Sequence, residues 1–406
     1  MAATKWENDN YENDIELTVH VSRSVLQLIG IWPHRREKGE SISKEIRLKL
    51  LRIFCHSLAC FVLIPGLLYT FLKEKDPRRR LKAIGPLCNC SMAVLKYTIF
   101  LFSRKKLEDC MIRLEQDWKH VVTLNDRRTM LEKARIGRSI AILCVAFVYT
   151  SGFSYRLIVP LTRGTVVNAN NITIRPLAYA CYFVFFDPQK SPAYEIIFTL
   201  QTIAGFVTYS TTSGACSLAA LYVLHACGQL EILIRRLEEL VEDSKTSIVS
   251  LDEKLAALVK HHINVRGFLE NIEDAMQQIC LVEVVGCTLI LCLLGYYIII
   301  EWENNDAIAI LTYAILLLTF TFNIFIYCFI GELLTDQATK VARTSCTLEW
   351  FHLPEKTARC LILIMAMSSR PIKITAGKFL DLSLNSFGSV VRTSVAYLNM
   401  LRTTSI

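Results

Sequence analysis

The sequence predicts an all-α, polytopic membrane protein with seven transmembrane helices, and three observations support this fold class. Of the 406 residues, 52% are hydrophobic and the mean hydropathy is +0.36, which is too apolar for a typical soluble protein of this size. Seven apolar segments are each about twenty residues or longer, which is enough to cross a bilayer. Lys and Arg are concentrated in alternate connecting segments, as the positive-inside rule describes for multi-pass proteins.

The seven predicted spans follow one another through the whole chain. Their approximate limits are 51–72, 83–103, 139–161, 194–224, 276–300, 307–330 and 378–401. The chain shows no internal repeat or low-complexity tract, so residues 1–406 are predicted to form one domain. Within it we distinguish an N-terminal region (1–50), six spans with their loops (51–330), a helical region (331–377) and the last span (378–402).

The distribution of positive charge predicts the orientation. Thirty of the 45 Lys and Arg residues fall in segments 1–50, 104–138, 225–275 and 331–377, against ten in the intervening connections and the tail. This places the N-terminus in the cytoplasm and the C-terminus outside. The basic loop 73–82 is an exception, whereas the glycosylation sequon at Asn171 lies in a loop assigned to the outside. The first twenty residues are polar and acidic, so no signal peptide is predicted.

The segments assigned to the cytoplasm have a helical pattern. Apolar residues recur every three to four positions among charges in 104–138 and 225–275, and the latter segment is predicted to extend the fourth and fifth spans into the cytoplasm. Region 331–368 behaves similarly. Its apolar stretch 360–367 is too short to span, so we expect it to pack on neighbouring helices or on another subunit.

The last predicted helix, Lys378 to Arg402, is the least lipid-like of the apolar runs. Its polar or small residues recur at steps of three and four and share one face: Asp381, Asn385, Gly388, Arg392, Ala396, Asn399 and Thr403. The opposite face is apolar. A polar stripe inside hydrocarbon is costly unless it faces other helices or water, so this pattern indicates a pore or a polar interface.

The sequence shows no pattern typical of an enzyme or of a metal protein. Most of the 15 Cys residues sit inside apolar runs, where Cys behaves as a small hydrophobic residue. We find no metal-ligand spacing, no Ser/His/Asp arrangement, no paired carboxylates and no phosphate-binding loop. We therefore expect no catalytic residues, no metal and no cofactor.

Several short segments resemble those of one known family, the insect odorant receptors. They are distributed along nearly the whole chain: Leu28–Pro33, Tyr182–Pro188, Ser191–Glu195, Gly331-Glu332 followed by Trp350, Ser368–Pro371, Ala376-Gly377, Leu382–Phe387 and Tyr397–Asn399. Any one of these pieces alone is weak, but together they are specific. The chain lacks the long inner insertion between the fourth and fifth spans that marks the universal co-receptor of that family.

The resemblance implies a ligand-specific tuning receptor. Such a subunit binds a small volatile odorant and assembles with the co-receptor as a heterotetrameric, non-selective cation channel in the plasma membrane of the olfactory neuron dendrite. The last helix would line the pore, the helices of the fourth to seventh spans would form a cytoplasmic anchor between subunits, and the odorant would occupy a pocket in the outer half of the membrane.

Given the predicted orientation, three spans offer aromatic and hydroxyl side chains to an outer pocket. The candidate ligand-binding residues share one face of the third, fourth and sixth spans respectively: Thr150, Phe153 and Ser154; Thr202, Phe206 and Tyr209; Tyr313, Leu317 and Phe320. Burial supplies most of the affinity for a volatile apolar ligand, and one hydrogen bond sets its orientation. Taken singly, each residue is more readily explained by ordinary helix packing than by ligand contact.

The extracellular end of the last helix is the candidate constriction of the pore, with Asn399, Met400, Thr403 and Thr404. A Met side chain can close a pore by dewetting, and neighbouring amide or hydroxyl groups can replace part of an ion's hydration shell. The alternative is a frayed helix end that faces lipid or solvent.

Four charged residues within or near the spans have simpler interpretations. Lys96, Arg156 and Glu283 are expected to pair inside the bundle or to reach its ends rather than to bind ligand. Arg392 lies mid-span, where a cation facing the lumen of a cation channel is unfavourable. We expect it to pair with an acid such as Asp381 of a neighbour or to point into a water-filled vestibule.

Other classes of function fit the sequence less well. A seven-helix receptor coupled to G proteins would carry an acidic-Arg-aromatic triplet after the third span and an Asn-Pro pair in the seventh, and neither is present. A metabotropic chemoreceptor or a gustatory-type receptor channel remains the alternative. A transporter would show internal repeats and broken helices, which the sequence lacks.

Overall fold

A computed structural model of the chain describes residues 8–32, 42–121, 123–158, 166–167, 173–175, 177, 179–183, 186–244, 251–350, 353–370 and 372–404. Within this part of the chain the architecture is all-helical apart from two short hairpins. The helices are α1 (Tyr11–Leu28), α2 (Ile42–Leu68), α3 (Pro77–Phe102), α4 (Arg104–Lys119), α5 (Leu124–Phe153), α6 (Ala193–Ser244), α7 (Leu251–Glu303), α8 (Ala307–Thr347), α9 (Glu355–Ser368) and α10 (Leu384–Thr404).

Two of the helices continue into a short π-helical segment, and the strands pair in antiparallel hairpins. The π-helical segments are Tyr69–Lys73 after α2 and Ser154–Ile158 after α5. Strands β1 (Val166–Val167) and β2 (Thr173–Ile174) form one hairpin. Strands β3 (Thr375–Ala376) and β4 (Leu380–Asp381) form the other, with Thr375 opposite Asp381 and Ala376 opposite Leu380.

Capping residues in the sequence explain where several spans begin. Asp76 accepts a hydrogen bond from the Arg78 N–H at 3.0 Å, and Pro77 occupies the first helical position of α3. Asp306 caps α8 in the same way through the Ala309 N–H at 3.0 Å. These short polar side chains replace intrahelical partners that the first N–H groups of a helix lack.

Six described helices are long and apolar enough to cross a membrane, namely α2 with its π-helical segment, α3, α5, α6, α7 and α8. The seventh predicted span corresponds to α10, whose 21 residues suffice in length but are less apolar. At 1.5 Å per residue, α6 and α7 are each about 80 Å long, far more than the roughly 30 Å of a hydrocarbon core. The predicted helical extensions of the fourth and fifth spans are therefore confirmed.

Helix α6 lies at the centre of the bundle. Its apolar window is 89% buried, against 28 to 61% for the other five candidate spans. It packs against α1, α5, α7 and α8, and small residues such as Ala215, Cys216 and Ser217 allow close approach. Because its surroundings are protein rather than lipid, polar residues along it can be satisfied inside the bundle.

The segment before the last helix differs from the prediction of one continuous helix from Lys378. Gly377 and Lys378 have φ angles of +61° and +65°, which lie in the left-handed region and turn the chain between β3 and β4. The hairpin docks on α7, where the Gly377 N–H donates to the Gln277 carbonyl at 2.9 Å. Helix α10 consequently begins at Leu384, and Asp381 belongs to the hairpin rather than to the helix.

Candidate functional site

A cavity of about 80 Å³ lies between the second to sixth spans. Its walls come from α3, α5 and the π-helical segment that follows it, the loop before α6, and helices α6, α7 and α8. The lining residues are Lys82, Gly85, Pro86, Asn89, Val148, Ser151, Gly152, Tyr155, Arg156, Tyr179, Thr208, Tyr209, Thr212, Ile290, Leu294, Tyr297, Tyr313, Leu316, Thr319, Phe320 and Asn323. These residues lie toward the helix ends that the sequence predicts to be extracellular.

The lining is aromatic and aliphatic, with hydroxyl groups that mostly donate to the backbone. Tyr209 donates to the Gly152 carbonyl at 2.8 Å, and Tyr297 donates to the Leu81 carbonyl at 2.7 Å. The Thr208 hydroxyl donates to its own helix at Ala204, at 3.0 Å. These bonds fix the aromatic rings, so the cavity presents them as preformed apolar surface to a guest molecule.

Two glycines bring the aromatic rings close to the neighbouring helix backbones. A Cβ atom at Gly152 would collide with the ring of Tyr209, and one at Gly85 would lie 2.7 Å from the Tyr297 hydroxyl oxygen. Both positions therefore require the smallest side chain for a packing reason. The cavity keeps its shape because these rings sit directly against the backbones of α5 and α3.

Arg156 is the most conspicuous polar residue of the lining. Its side chain is buried and donates to the Gln201 carbonyl and, at 3.3 Å, to the Tyr179 hydroxyl. The guanidinium also lies over the Tyr179 and Tyr209 rings, 4.9 and 5.5 Å from their centroids. Stacking on two electron-rich rings partly offsets the loss of hydration of the cation.

A buried ion pair lies beneath the other end of the cavity. Lys96 Nζ of α3 is 2.8 Å from Glu283 Oε2 of α7 and 3.1 Å from the Thr212 hydroxyl of α6. The side-chain amide of Asn323 in α8 donates a hydrogen bond to the Glu283 carboxylate. The Cys287 thiol donates to the same carboxylate at 3.3 Å. The prediction that Lys96 and Glu283 pair inside the bundle is confirmed, and the network joins four spans where Thr212 and Asn323 reach the cavity.

The structure brings three of the nine predicted ligand-binding residues to the cavity: Tyr209, Tyr313 and Phe320. Phe153 and Phe206 instead contact each other, 5.4 Å apart, on the side of Tyr149. Their side chains are 36 and 42% exposed, and in a membrane this surface would be covered by lipid.

The other four predicted ligand-binding residues do not line the cavity. Thr150 is exposed, and its carbonyl accepts a hydrogen bond from Ser154 at 2.8 Å. Thr202 donates to the Phe198 carbonyl, and Leu317 packs against the core beside the lining residue Leu316. On the third span the cavity is lined by 148, 151, 152 and 155, which share a different face of the helix from 150, 153 and 154.

Two whole walls were absent from the sequence-based set of candidates. The N-terminal part of α3 contributes Gly85 and Asn89, and the C-terminal part of α7 contributes Leu294 and Tyr297. The charge distribution that assigns the other three walls to the outer half assigns these two segments to it as well. Applying that orientation to every span would have identified them.

The last helix presents its predicted polar stripe away from the bundle. The stripe residues that belong to α10 are all exposed: Asn385, Gly388, Arg392, Ala396, Asn399 and Thr403. The inward face packs on α7 and α8, where Leu398 contacts Gly295 and the Phe387 and Phe325 rings are 5.6 Å apart. Met400 is also outward, at 64% exposed.

One predicted contact differs in the structure, and two predicted residues fall outside its described part. Asp381 pairs with Lys373 of the same chain at 2.7 Å rather than being free for Arg392. Asn171 and the Thr404 side chain lie outside the described part of the structure. Within the described residues, no group of three or more His, Cys, Asp or Glu side chains is arranged to hold a metal ion.

The fold and the cavity define a multi-pass, all-helical membrane protein with space for a small molecule among its spans. The sequence model of the family described as 7tm Odorant receptor matches residues 76–395. The chain belongs to this family, the insect odorant receptors, and is accordingly a receptor rather than an enzyme.

Individual relatives agree with this assignment. Odorant receptor 13a of Drosophila melanogaster is 26% identical over 60% of this chain and 61% of its own length. Odorant receptor 22c of the same species is 22% identical over 93% of this chain and 94% of its own length. Odorant receptor Or2 of Anopheles gambiae is 25% identical over 76% of this chain and 80% of its own length.

Solved structures share the fold at low sequence identity. The insect olfactory receptor OR5 from Machilis hrabei, in complex with eugenol, superposes with a TM-score of 0.83. It is 14% identical, and the match covers 98% of this chain and all of that one. A second structure of the same receptor gives a TM-score of 0.79 at 16% identity, covering 97% of this chain and 99% of that chain.

Proposed function

We propose that this chain is the ligand-specific subunit of an odorant-gated, non-selective cation channel. The observation that carries the proposal is the preformed, largely apolar cavity between the second to sixth spans, with aromatic rings in its walls. Apolar burial supplies affinity for a volatile molecule, and the few convergent polar groups orient it. The structurally similar receptor from Machilis hrabei is described in complex with eugenol, a small molecule, which supports a ligand-binding role for this fold.

The ligand site in this proposal is the cavity itself. Three of the residues suggested by the sequence, Tyr209, Tyr313 and Phe320, contact the odorant. They are joined by Gly152 of the third span and by Tyr297, which belongs to a wall that the sequence did not suggest. Phe153 and Phe206 act indirectly, because Phe153 packs 6.3 Å from the Tyr209 ring.

The pore in this proposal is formed by the outward face of α10 in an assembly with other subunits. A helix whose exposed face carries Asn385 and Asn399 is poorly suited to lipid, whereas an aqueous lumen solvates it. Arg392 on the same face points into a water-filled vestibule rather than into the narrow part of the lumen. Met400 and Thr403 stand at the end of α10, where the constriction is proposed. With the N-terminus in the cytoplasm, this end faces the extracellular side.

The partner in this proposal is the odorant receptor co-receptor, with which the chain forms a heterotetramer in the plasma membrane of the olfactory neuron dendrite. Helix α9 supports an anchor between subunits because only one of its faces is covered. Leu361 and Ile364 are buried, whereas Ile362 and Leu363 are 62 and 55% exposed. Such a face is suited to contact with a second subunit.

A panel of volatile molecules recorded by two-electrode voltage clamp in oocytes tests the proposal. Oocytes receive this chain with the co-receptor, each subunit alone, or neither, and surface delivery is measured in all four groups. We expect odorant-evoked cation current only when both subunits are present. Silence across a broad panel despite surface delivery would contradict the proposed function, and equal responses without the co-receptor would contradict the assembly.

A further inference from the structure

The polar groups of the cavity suggest which chemical class of odorant it accepts. Several donors of the lining are already committed, because the hydroxyls of Tyr209, Tyr297, Thr208 and Thr319 donate to backbone carbonyls. The charge of Lys82 is paired with Glu301 at 2.6 Å. A ligand that only accepts hydrogen bonds therefore gains little from these four hydroxyls.

Arg156, by contrast, has N–H donors that the described hydrogen bonds leave unused. A guanidinium carries five N–H donors, and the described contacts use two of them, to the Gln201 carbonyl and the Tyr179 hydroxyl. The side chain belongs to the cavity lining although the residue is only 4% exposed. The N–H groups that remain are available to a guest in the cavity.

The charge of Arg156 points to an anionic guest rather than a merely polar one. Among the described residues, no carboxylate lies within ion-pairing distance of the guanidinium, and the groups that surround it include the Tyr179 and Tyr209 rings and the backbone of Gly205. The two buried acids of the spans near the cavity lining, Glu283 and Glu301, are paired with Lys96 and Lys82 respectively. A buried cation without a counter-ion is costly, and a carboxylate supplies both the charge and the planar acceptor geometry that Arg matches.

We propose that the cavity recognises small aliphatic carboxylic acids, with the ligand carboxylate bound to Arg156 and the alkyl chain against Tyr209, Tyr297 and Phe320. The inference rests on the proposed function, because it assigns the ligand class of the same cavity. Carboxylic acids ionise with pKa values of about 4 to 5, so the carboxylate is the dominant form at neutral pH.

The size of the cavity limits the length of the acid. A volume of 80 Å³ holds about six water-sized groups, since one such group needs roughly 10 to 15 Å³. This corresponds to ligands on the order of five to eight non-hydrogen atoms, that is, unbranched acids of about three to six carbons. Longer acids require side chains of the lining to move.

The experiment compares hexanoic acid with 1-hexanol on oocytes that express this chain and the co-receptor. The variants are Arg156→Met, which removes the charge at similar length, and Arg156→Lys, which keeps the charge but loses the fork of donors. Arg79→Gln is the matched control, because Arg79 is 66% exposed in the first turn of α3, at a helix end predicted to lie on the same side of the membrane. Oocytes with the co-receptor alone control for acidification by the acid.

We expect hexanoic acid to activate the wild type at lower concentrations than 1-hexanol. Arg156→Met raises the half-maximal concentration of the acid by about 30-fold or more, as for a truncated buried charge pair, and leaves that of the alcohol nearly unchanged. Arg156→Lys gives an intermediate shift, and Arg79→Gln gives none. If neither Arg156 variant reaches the cell surface, the inference is tested by the wild type alone, which must respond to hexanoic acid at lower concentrations than to 1-hexanol.

Two results overturn the inference and have different meanings. If alcohols activate the wild type while no acid does, or if Arg156→Met weakens both ligands equally at unchanged surface level, the ligand class is wrong and the proposed function stands. If neither acids nor neutral volatiles evoke current, the ligand class and the proposed function fail together.

Discussion

Replacing Lys96 by Met tests whether the ion pair beneath the cavity holds the bundle together. The Lys96 and Glu283 side chains are 1 and 0% exposed, so solvent screening does not weaken their attraction. At 2.8 Å the Coulomb attraction is about 6 kcal/mol for an effective dielectric constant of 20, before desolvation is counted. Lys96→Met leaves the Glu283 carboxylate buried with only neutral donors, which we expect to destabilise the fold by about 3 to 5 kcal/mol.

The assay is thermal inactivation of the detergent-solubilised receptor, followed by fluorescence-detected size-exclusion chromatography. We expect the midpoint of Lys96→Met to fall by on the order of 5 to 10 °C. The matched control is Lys49→Gln, which breaks the exposed Lys49–Glu45 pair and costs less than about 1 kcal/mol. The double variant Lys96→Met/Glu283→Gln removes both charges and recovers most of the loss. A single variant no less stable than the control, or a double variant no better than the single, would refute the reasoning.

Three further substitutions probe the cavity, the hairpin and the proposed pore. Gly152→Ala places a Cβ atom in collision with the Tyr209 ring; overpacking of about 1 to 3 kcal/mol should raise the half-maximal odorant concentration roughly tenfold, and unchanged dose–response curves would refute the packing account. Gly331→Ala drives a Cβ atom into the Leu382 carbonyl next to the hairpin, and it should reduce the peak odorant-evoked current roughly tenfold at equal surface expression. Met400→Thr should raise the odorant-free current if Met400 closes the pore by dewetting, whereas basal current equal to wild type would remove Met400 from the gate.

The spans could be predicted because the pattern that identifies them lies in consecutive residues and does not depend on tertiary contacts. A run of about twenty apolar residues identifies a span whatever it packs against, and capping residues such as Asp76 and Asp306 mark where helices start. The boundary of the last helix was not predictable in this way. Gly377 and Lys378 interrupt it through left-handed backbone angles, and the apolar residues around them fit a docked hairpin as well as a span.

The cavity was only partly predictable, for a different reason. In a soluble helix the apolar face points inward, whereas in a membrane both faces are apolar and periodicity does not separate lipid from interior. Phe153, Phe206 and Phe320 are the same residue type, yet only Phe320 lines the cavity, whereas Phe153 and Phe206 lie on the exposed surface of the bundle. Gly152 and Gly85 contribute to the cavity through the absence of a side chain, which a search for aromatic and hydroxyl residues does not detect.

Arg156 illustrates the same limit. A single buried Arg near the end of a span is more often a packing or interfacial residue than a ligand contact, and its sequence neighbours do not alter that expectation. Its place over Tyr179 and Tyr209 depends on a loop and a helix that follow it in the chain by about 20 and 50 residues. Only the tertiary structure brings these groups together.

The central claim, that a ligand bound in this chain opens an ion pathway without a second messenger, is tested most directly in excised membrane patches. The patches carry this chain with the co-receptor and are bathed in nucleotide-free solution on the cytoplasmic side. We predict that an active odorant opens unitary cation currents there and that Gly152→Ala weakens them. Currents that vanish on excision and return only with GTP would contradict the claim and would support a metabotropic receptor.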